Sequence, residues 1–299
     1  MARLPLIYNP AAHAGRGRRI AADVEARLLA RGHDLEVHAT TAPMDAARLV
    51  RELAAAGHQR IAVLGGDGTL SEAAHGVLDH HLDITLVPLP GGTGNALLDH
   101  FGLPNLDEAV RGLDARQDVR IDAGRVTWPG GQRWTINVFG TGFLARVATT
   151  ANRRLKWLGG SSYTWAVFPE LIRLRAPPTR LTLDGIVQDG DYSLVAVCNT
   201  SITGRGMIIA PEADASDGKL DIIALRGGGR ARLLRLFPKI FDGTHVESPH
   251  VFVAQAARVK IEPTRDSPLL GDGEVYGTTP VEVEVHAAAL KMALPPSND

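Results

Sequence analysis

The sequence predicts an α/β domain followed by a mainly β domain, and three observations support this prediction. Aliphatic runs alternate with amphipathic helical segments in the first 122 residues. Short β-prone segments separated by turn residues dominate from 123 to 285. The chain has 299 residues and is 44% hydrophobic, which is enough for two cores. We expect an N-terminal parallel three-layer α/β domain over 1–122 and a C-terminal antiparallel β-sandwich domain over 123–285, with the last strand, about 286–299, as a candidate to pack back on the first domain.

Four strand-and-helix units make up the first predicted domain. The first unit is LPLIY followed by RRIAADVEARLLARGH, where Ile20, Val24, Leu28 and Leu29 are expected on one helical face and Gly32 ends the helix. The second unit is DLEVHAT followed by MDAARLVRELAAAGH, and the third and fourth strands are RIAVL and DITLVPLP. Because strands and helices alternate, we predict a parallel sheet covered by helices.

Seven β-prone segments make up the second predicted domain: AGRVTW, RWTINVF, TRLTLDG, YSLVAVCN, KLDIIAL, HVFVAQAARVKIE and PVEVEVH. One helical insertion spans about 145–175. The whole chain has a net charge of −1, so nothing in its overall charge points to nucleic acid. Its single cysteine, Cys198, excludes an internal disulfide, and no signal sequence or membrane-spanning apolar run is visible. We therefore expect a cytoplasmic protein.

Three glycine-rich loops follow strands of the first domain and open helices: NPAAHAGRG, GGDGTL and GGTGNALL. Glycine lets backbone N–H groups approach a phosphate, and a helix N-terminus favours anions. An aspartate would repel a bare phosphate, so Asp67 is expected to meet one through Mg²⁺, water or a hydroxyl. Its structural alternative is a turn or N-cap acid. Together the loops predict a nucleotide-phosphate cradle whose polar residues are Asn9, Asp67, Thr69, Thr93 and Asn95.

These loops, in this order and spacing, resemble the diacylglycerol kinase catalytic domain, a family that includes bacterial lipid kinases and sphingosine kinases. Three later segments resemble the family's second-domain motifs: TINVFGTGFLARV, APEADASDGKLDIIAL and LLGDGEVYGTTPVEVEV. The chain departs from the family at Leu144, where relatives commonly carry an acid, and this leaves the lipid head group open.

The resemblance implies an ATP- and Mg²⁺-dependent kinase that phosphorylates a hydroxyl of a diacylglycerol-like or related lipid. Glu274 matches the family's proton acceptor and Asp272 stands beside it, although Asp67 is an alternative base. Asp214, Asp217 and the main-chain carbonyl of Lys219 match a structural Mg²⁺ site, although SDGK alone would favour a hairpin turn. The residues placed against ATP by the loops and the resemblance are Asn9, Pro10, Ala11, Ala12, His13, Thr40, Thr41, Gly65, Gly66, Asp67, Gly68, Thr69, Leu70, Ser71, Glu72, Gly91, Gly92, Thr93 and Asn95. Because Asp67 and Glu274 are distant in sequence, we expect the active site in a cleft between the domains.

A kinase that acts on a lipid must reach a membrane surface, and two segments have the composition of an interfacial helix. The stretch 146–175 places Arg146, Arg153, Arg154, Lys156, Arg173 and Arg175 among Leu155, Trp157, Trp165 and Phe168. The stretch RGGGRARLLRLFPKIF repeats the mixture. A solvated cationic face over an apolar core is the alternative for each. We expect peripheral membrane contact, with a homodimer left open.

Two other functions remain as alternatives. An NAD-kinase-like enzyme would share GGDGT, although it would not need the Trp- and Arg-rich insertion. A nucleotide-binding regulatory protein without catalysis would bind ATP and turn over no lipid, although the retained Asp67 and Glu274 argue against it.

Overall fold

A computed structural model describes residues 3–92, 94–103, 105–154, 162–204 and 206–296. The chain divides into two compact units: unit 1 comprises Met1–Ile121 and Ala288–Asp299, and unit 2 comprises Asp122–Ala287. The predicted fold, an N-terminal α/β domain with parallel strands and a C-terminal β-sandwich, is confirmed. Within the described ranges, no helix combines the length and the hydropathy that crossing a bilayer requires.

Unit 1 contains four short parallel strands and six helices among its described residues. The strands are β1 (Leu4–Tyr8), β2 (Leu35–Ala39), β3 (Arg60–Gly65) and β4 (Thr85–Pro90). The helices are α1 (Ala12–Gly15), α2 (Gly17–Leu29), α3 (Asp45–Ala55), α4 (Asp67–Leu78), α5 (Ala96–His100) and α6 (Leu106–Arg111), followed by a 3₁₀ turn at Leu113–Ala115.

The remaining elements belong wholly or mainly to unit 2. The strands are β5 (Gln117–Trp128), β6 (Gly131–Thr135), β7 (Val138–Gly142), β8 (Pro178–Leu183), β9 (Ile186–Cys198), β10 (Ile202–Thr203), β11 (Met207–Ile208), β12 (Leu220–Arg226), β13 (Val251–Ala256), β14 (Arg258–Pro263), β15 (Pro268–Gly271), β16 (Glu274–Thr278) and β17 (Val281–Leu294). The helices are α7 (Phe143–Arg154), α8 (Ser162–Ile172) and α9 (Arg230–Leu236), with 3₁₀ turns at Pro238–Ile240 and Thr244–Glu247. Strands β5 and β17 each contain residues of both units.

The sheet of unit 1 has the strand order β2, β1, β3, β4, with the end of β17 parallel to β4. The chain moves outward from β1 to β2 and then crosses back to β3 and β4. Since such crossovers are right-handed, α2 lies on one face of the sheet and α3 and α4 lie on the other. Helix α3 packs on α4, and α2 contacts α6. The winding direction reverses between β1 and β3, and ligands of open α/β sheets bind beyond the carboxyl ends of the strands at this point.

Unit 2 is a sandwich because its long strand β9 takes part in two sheets. Its first half pairs with β8, and its second half pairs with β7 and β12. Strand β8 continues to β14 and β17, while β12 continues to β13 and β7 continues to β15 and β16. Side chains from both sheets meet in one buried core, which includes Phe139, Leu181, Val197, Ile222 and Ile261.

Two segments that the sequence predicts as single strands are each divided in two, and an aspartate explains each division. RWTINVF ends β6 at Thr135 and resumes as β7 at Val138, because the N–H groups of Ile136 and Asn137 donate to Asp272 (both 3.0 Å). HVFVAQAARVKIE breaks between β13 and β14, where Ala257 N–H and Arg258 N–H donate to Asp184 (3.1 and 2.8 Å). A carboxylate therefore takes the hydrogen bonds that a neighbouring strand would otherwise accept.

Candidate active site

The three glycine-rich loops of unit 1 leave the same edge of its sheet. Tyr8 lies opposite Leu64, and Gly65 lies opposite Pro90, so β1, β3 and β4 end nearly in register. The loops that begin at residues 9, 66 and 91 are therefore neighbours at the carboxyl ends of the strands, next to the reversal between β1 and β3. This is the arrangement that the sequence predicts for a phosphate cradle.

The loops after β3 and β4 pack backbone against backbone. Gly91 N–H donates to the Gly65 carbonyl (2.8 Å). A Cβ atom added to Gly66 would lie 3.0 Å from both the Gly92 Cα and the Gly94 carbonyl oxygen, and one added to Gly91 would lie 3.1 Å from Gly65 N. Side chains at these positions would force the loops apart. The glycines are thus required by loop-to-loop packing in addition to any role in admitting a phosphate.

Asp67 connects these two loops through its carboxylate. Its Oδ2 accepts a hydrogen bond from Ala96 N–H and its Oδ1 accepts one from Leu97 N–H, both at 3.1 Å. These donors belong to the first turn of α5, whose N–H groups have no partner within the helix. The negative charge also lies at the positive end of that helix. Asp67 therefore caps α5, the helix that follows the neighbouring loop. The sequence offers a cap role as the structural alternative for Asp67, and the helix that it caps is α5 and not its own helix α4.

Asn9 and Asn95 each fold the loop that contains them. Asn9 Oδ1 accepts from Ala11 N–H (2.9 Å), while its carbonyl accepts from Ala12 N–H (3.1 Å). Asn95 Oδ1 accepts from Gly92 N–H (3.1 Å). Thr69 and Leu70 are both buried, so their side chains serve packing. Thr93 lies outside the described residues, as does the side chain of His13.

The loop after β2 is fixed by Asp45, a residue that the sequence reasoning missed. Asp45 Oδ2 accepts from Thr41 N–H (2.7 Å) and Thr41 Oγ1 (2.9 Å), and Oδ1 accepts from Arg48 Nε (2.6 Å). The hydrogen bond from Arg48 holds the pKa of this buried carboxyl below its ordinary value. Thr40 N–H donates to the Tyr8 carbonyl (2.9 Å), and Glu72 Oε2 accepts from Ala46 N–H (3.4 Å). Only the acid four residues after Thr41 could have signalled this arrangement.

A cavity of about 700 Å³ adjoins the loop after β4 in unit 1. Helix α2, the residue before it and α6 form its other walls, and the lining residues are Arg16, Arg19, Ile20, Asp23, Arg27, Pro90, Gly91, Gly92, Asn95, Leu106 and Asp107. Arg27 pairs with Asp23 (3.3 Å) and Asp107 (2.9 Å). Arg16 and Arg19 are exposed. These two arginines could have been found from AGRGRR, where the cations follow directly after the first glycine loop.

The turn between β15 and β16 in unit 2 carries Asp272 and Glu274, and their environments differ. Asp272 is buried in the left-handed region (φ 47°) and accepts hydrogen bonds from Thr135 Oγ1 (2.7 Å), Ile136 N–H and Asn137 N–H. The side chain of Glu274 is 49% exposed and accepts from Arg133 Nη1 at 2.6 Å. Asp272 therefore anchors the turn, while Glu274 projects from it.

The ring of Tyr276 packs against Arg133, the partner of Glu274. The Arg133 guanidinium carbon lies 5.0 Å from the centre of the Tyr276 ring, and the Trp128 ring packs against the same ring at 5.1 Å between centroids. Burial, and after it the nearby charge of Asp272, raises the pKa of the Tyr276 hydroxyl. The hydroxyl stays protonated at neutral pH. Arg133 was not among the residues singled out from the sequence.

The loop Asp214–Lys219 of unit 2 consists of short turns closed by aspartates. Asp214 Oδ1 accepts from Ser216 N–H (2.9 Å), Asp217 Oδ1 accepts from Lys219 N–H (2.8 Å), and Gly218 N–H donates to Asp122 (2.7 Å). Asp214 and Asp217 are exposed. Among the described residues, no three His, Cys, Asp or Glu side chains gather closely enough to hold a metal. The two aspartates offer exposed carboxylate oxygens, the kind of ligand that Mg²⁺ takes together with retained waters.

Two family models match the chain. The model described as diacylglycerol kinase catalytic domain matches residues 3–126, and the model described as YegS C-terminal NAD kinase beta sandwich-like domain matches residues 137–294. A diacylglycerol kinase from Mycobacterium tuberculosis is 35% identical, with 98% of this chain and 95% of the relative covered. A diacylglycerol kinase from Bacillus subtilis is 29% identical, with 94% and 93% covered.

Solved structures show the same fold. A crystal structure from Bacillus anthracis matches with a TM-score of 0.81 and 24% identity, and covers 98% of this chain and 95% of the other. A diacylglycerol kinase structure from the same organism matches with a TM-score of 0.74 and 23% identity, and covers 98% and 97%. The arrangement of an α/β unit and a β-sandwich is thus shared along nearly the whole length of the chain.

Proposed function

Because the chain belongs to the family of diacylglycerol kinases and YegS-like lipid kinases, we propose that it transfers the γ-phosphoryl group of ATP to a hydroxyl of a diacylglycerol-like lipid. The observation that carries this proposal is the meeting of three glycine-rich loops beside the winding reversal of the unit 1 sheet. Backbone N–H groups and a helix N-terminus at such a place suit a polyphosphate.

Arg16 and Arg19 support a position for the triphosphate. Both residues line the cavity that also borders Gly91, Gly92 and Asn95. Charge-assisted hydrogen bonds from arginine to phosphate are stronger than neutral ones and have a planar, two-pronged geometry. In our proposal they bind the phosphates of ATP from the α2 side, and the loops bind from the sheet edge.

Glu274 is the proposed proton acceptor. The lipid hydroxyl oxygen forms a bond to the γ-phosphorus, its proton passes to the Glu274 carboxylate, and the bond to the β-phosphate oxygen breaks with its electron pair leaving on ADP. Asp67 is less suited because both of its oxygens accept backbone hydrogen bonds that fix the loops. We assign Asp67 to positioning, and we keep the prediction that both units contribute to one site as part of this proposal.

Mg²⁺ is the proposed metal. When bound with ATP it screens the charge on the phosphates. A second ion is proposed to stabilise unit 2 through Asp214, Asp217 and the Lys219 carbonyl, as the family resemblance implies. Removing divalent metal should therefore abolish turnover, whereas Asp217→Asn should lower the melting temperature measured in Mg²⁺ towards the value measured in chelator.

A transfer assay with radiolabelled ATP tests the function. We expect labelled phosphate to appear in lipid when the full chain is incubated with Mg²⁺ and mixed micelles of diacylglycerol, and not when NAD is the acceptor. Phosphorylation of NAD and of no lipid would establish the NAD-kinase-like alternative. ATP binding without turnover across a total lipid extract would establish a non-catalytic nucleotide-binding protein.

The proposed arginine contacts have a matched control within the same segment. Arg16→Ala and Arg19→Ala should each raise the KM for ATP by about tenfold, the lower end of the value of a hydrogen bond to a charged group. Arg18→Ala should leave it unchanged, because Arg18 does not line the cavity. An equal effect of all three substitutions would place the triphosphate elsewhere.

A further inference from the structure

Helix α9 and the turn after it expose a continuous apolar stripe on unit 2. Leu234, Phe237 and Phe241 follow each other at intervals of three and four residues, and their exposed fractions are 54%, 42% and 50%. The rings of Phe237 and Phe241 contact each other edge to face at 5.9 Å between centroids. Leu233 and Leu236 face the core instead. The segment thus has two apolar faces, and only one of them has a partner in the described part of the chain.

The end of α8 also carries apolar side chains that are largely exposed to solvent. Phe168 and Ile172 are 57% and 67% exposed, whereas Leu171 and Leu174 pack into the same core as Leu233 and Leu236. Arg230 at the start of α9 donates a hydrogen bond to the Ile172 carbonyl (2.5 Å), which joins the end of α8 to the start of α9. We call the five exposed side chains of these two segments the apolar patch: Phe168, Ile172, Leu234, Phe237 and Phe241. They are half of the ten large hydrophobic side chains that are exposed in the described residues.

Basic side chains surround the apolar patch, and acids are scarce. Residues 230–242 contain four cations and one acid, Asp242, at the end of the segment. The acid Glu170 on α8 is buried, with Arg146 (3.7 Å) and Arg173 (3.9 Å) near it. Arg146 therefore faces inward, in contrast to its predicted place on the basic surface. Some of the other residues predicted for that surface lie outside the described residues. They are Leu155, Lys156 and Trp157 and the side chains of Arg153, Arg154 and Trp165.

Charge complementarity identifies what fits this surface. Arg175, Arg235 and Lys239 are exposed, and no acidic side chain of the described residues lies within ion-pair distance of them; the charge of Asp242 acts on Lys239 from further away. Exposed leucine and phenylalanine beside exposed cations are the composition of segments that lie in the interface of an anionic bilayer, where apolar side chains enter the acyl region and cations meet the head groups. A protein partner would not require this excess of positive charge.

We propose that the apolar patch, with Arg175, Arg235 and Lys239, docks unit 2 on the surface of an anionic membrane. The inference deepens the proposed function and rests on it for its purpose, since the substrate hydroxyl belongs to a membrane lipid. The docking surface itself is made entirely of unit 2 residues and needs no nucleotide.

Vesicle sedimentation without ATP tests the docking surface. We expect the full chain to bind vesicles that contain phosphatidylglycerol more tightly than vesicles of phosphatidylcholine alone, and the difference should shrink as salt is raised. Leu234→Gln with Phe241→Gln should weaken binding to both kinds of vesicle by at least tenfold. Arg235→Gln with Lys239→Gln should remove most of the preference for anionic vesicles, at about fivefold for each cation.

Matched controls come from another part of unit 2. Ile186→Gln with Val187→Gln removes two side chains that are 65% and 49% exposed in the β8–β9 hairpin, and Arg265→Gln removes an exposed cation. Both should bind vesicles like the unaltered chain. The proposal is overturned if the unaltered chain binds no vesicle, if the patch variants bind normally, or if they convert a dimer to a monomer in sedimentation velocity while vesicle binding persists.

A second readout separates this inference from the proposed function. With a short-chain diacylglycerol below its micelle concentration, the patch variants should phosphorylate substrate as fast as the unaltered chain. Their turnover on vesicles should fall in parallel with binding. A chain that binds vesicles through the patch and phosphorylates no lipid would retain the docking surface and refute the kinase. Equal loss of turnover on soluble and vesicle substrate would refute the docking role.

Discussion

The loop after β3 in unit 1 and the turn after β15 in unit 2 both contain an aspartate followed by glycine, and in both the carboxylate accepts two consecutive backbone N–H groups. Asp67 binds Ala96 and Leu97, while Asp272 binds Ile136 and Asn137. The two regions differ in the residue that follows the Asp-Gly pair. Unit 2 adds Glu274, which is exposed and paired with Arg133. The comparison shows that the two aspartates fix the backbone and that Glu274 is the exposed carboxylate, which is why we propose Glu274 as the proton acceptor.

A third Asp-Gly pair, far from either motif, supports this interpretation. Asp184, before Gly185, accepts from Ala257 N–H and Arg258 N–H in the β8–β9 hairpin. Asp184 and Asp272 both have positive φ angles, 46° and 47°. Aspartate tolerates this conformation better than most residues, and a following glycine relieves the tight turn. Asp184 and Asp272 therefore share one turn geometry, whereas Asp67 begins α4 and reaches its two N–H groups without a positive φ.

The largest expected effect separates Glu274 from the aspartates. Glu274→Gln should lower kcat by about 10²–10⁴-fold, the usual contribution of a general base. The free energy of unfolding should change by less than about 1 kcal/mol, since an exposed ion pair contributes little. Lipid phosphorylation and urea denaturation measure the two quantities.

Glu282→Gln is the control for Glu274→Gln, because Glu282 is a β-strand acid whose side chain is 40% exposed and lies 3.6 Å from Arg258. It should alter neither kcat nor stability. Retention of normal kcat by Glu274→Gln would assign the proton to another group, and Asp67 would be the first candidate.

Asp272 should show the opposite behaviour. Asp272→Ala leaves two buried N–H groups without an acceptor and places alanine at φ 47°, so we expect a loss of about 3 kcal/mol or more in the free energy of unfolding. Asp272→Asn retains an acceptor oxygen and tolerates the same backbone, and it should recover part of the loss. Equal stability of the alanine variant and the unaltered chain in urea would show that Asp272 does not anchor the turn.

The effects of substituting Asp67 on stability and on turnover should lie between those of substituting Glu274 and Asp272. Asp67→Ala should cost about 1–2 kcal/mol of unfolding free energy, the value of a helix cap, and should raise the KM for ATP because the loops after β3 and β4 are no longer joined. Asp67→Asn keeps one acceptor oxygen and should be milder in both respects. If Asp67→Asn instead lowered kcat as far as Glu274→Gln with no change in KM, Asp67 would act on the reacting atoms.

The sequence predicts the four parallel strands and the loop positions because hydrophobic runs and glycine clusters are local signals. The sequence also singles out Asp67, Asp272 and Glu274, because these acids lie in glycine-containing motifs. It does not distinguish Asp67 from Glu274, because the partners Ala96, Leu97 and Arg133 lie 29, 30 and 141 residues away along the chain. The division of RWTINVF into β6 and β7 was missed for the same reason, since Asp272 is more than 130 residues away. Long-range hydrogen bonds carry no local pattern.

Substitution of Asp45 should have the smallest effect on stability. Asp45 is followed by alanine and not glycine, so it also tests whether an aspartate needs a following glycine to fix the backbone. The hydrogen bond from Arg48 lowers the pKa of Asp45 in the folded chain, so its stabilising effect is present above the unfolded pKa of about 3.9 and is lost as the pH falls through the folded value. Asp45→Asn should therefore cost about 0.5–1 kcal/mol of unfolding free energy at pH 6 and progressively less below pH about 4. Glu52→Gln removes the other, exposed partner of Arg48 and serves as the control. A difference between Asp45→Asn and the unaltered chain that persists undiminished in acid would mean that Asp45 holds Thr41 by shape and not by charge.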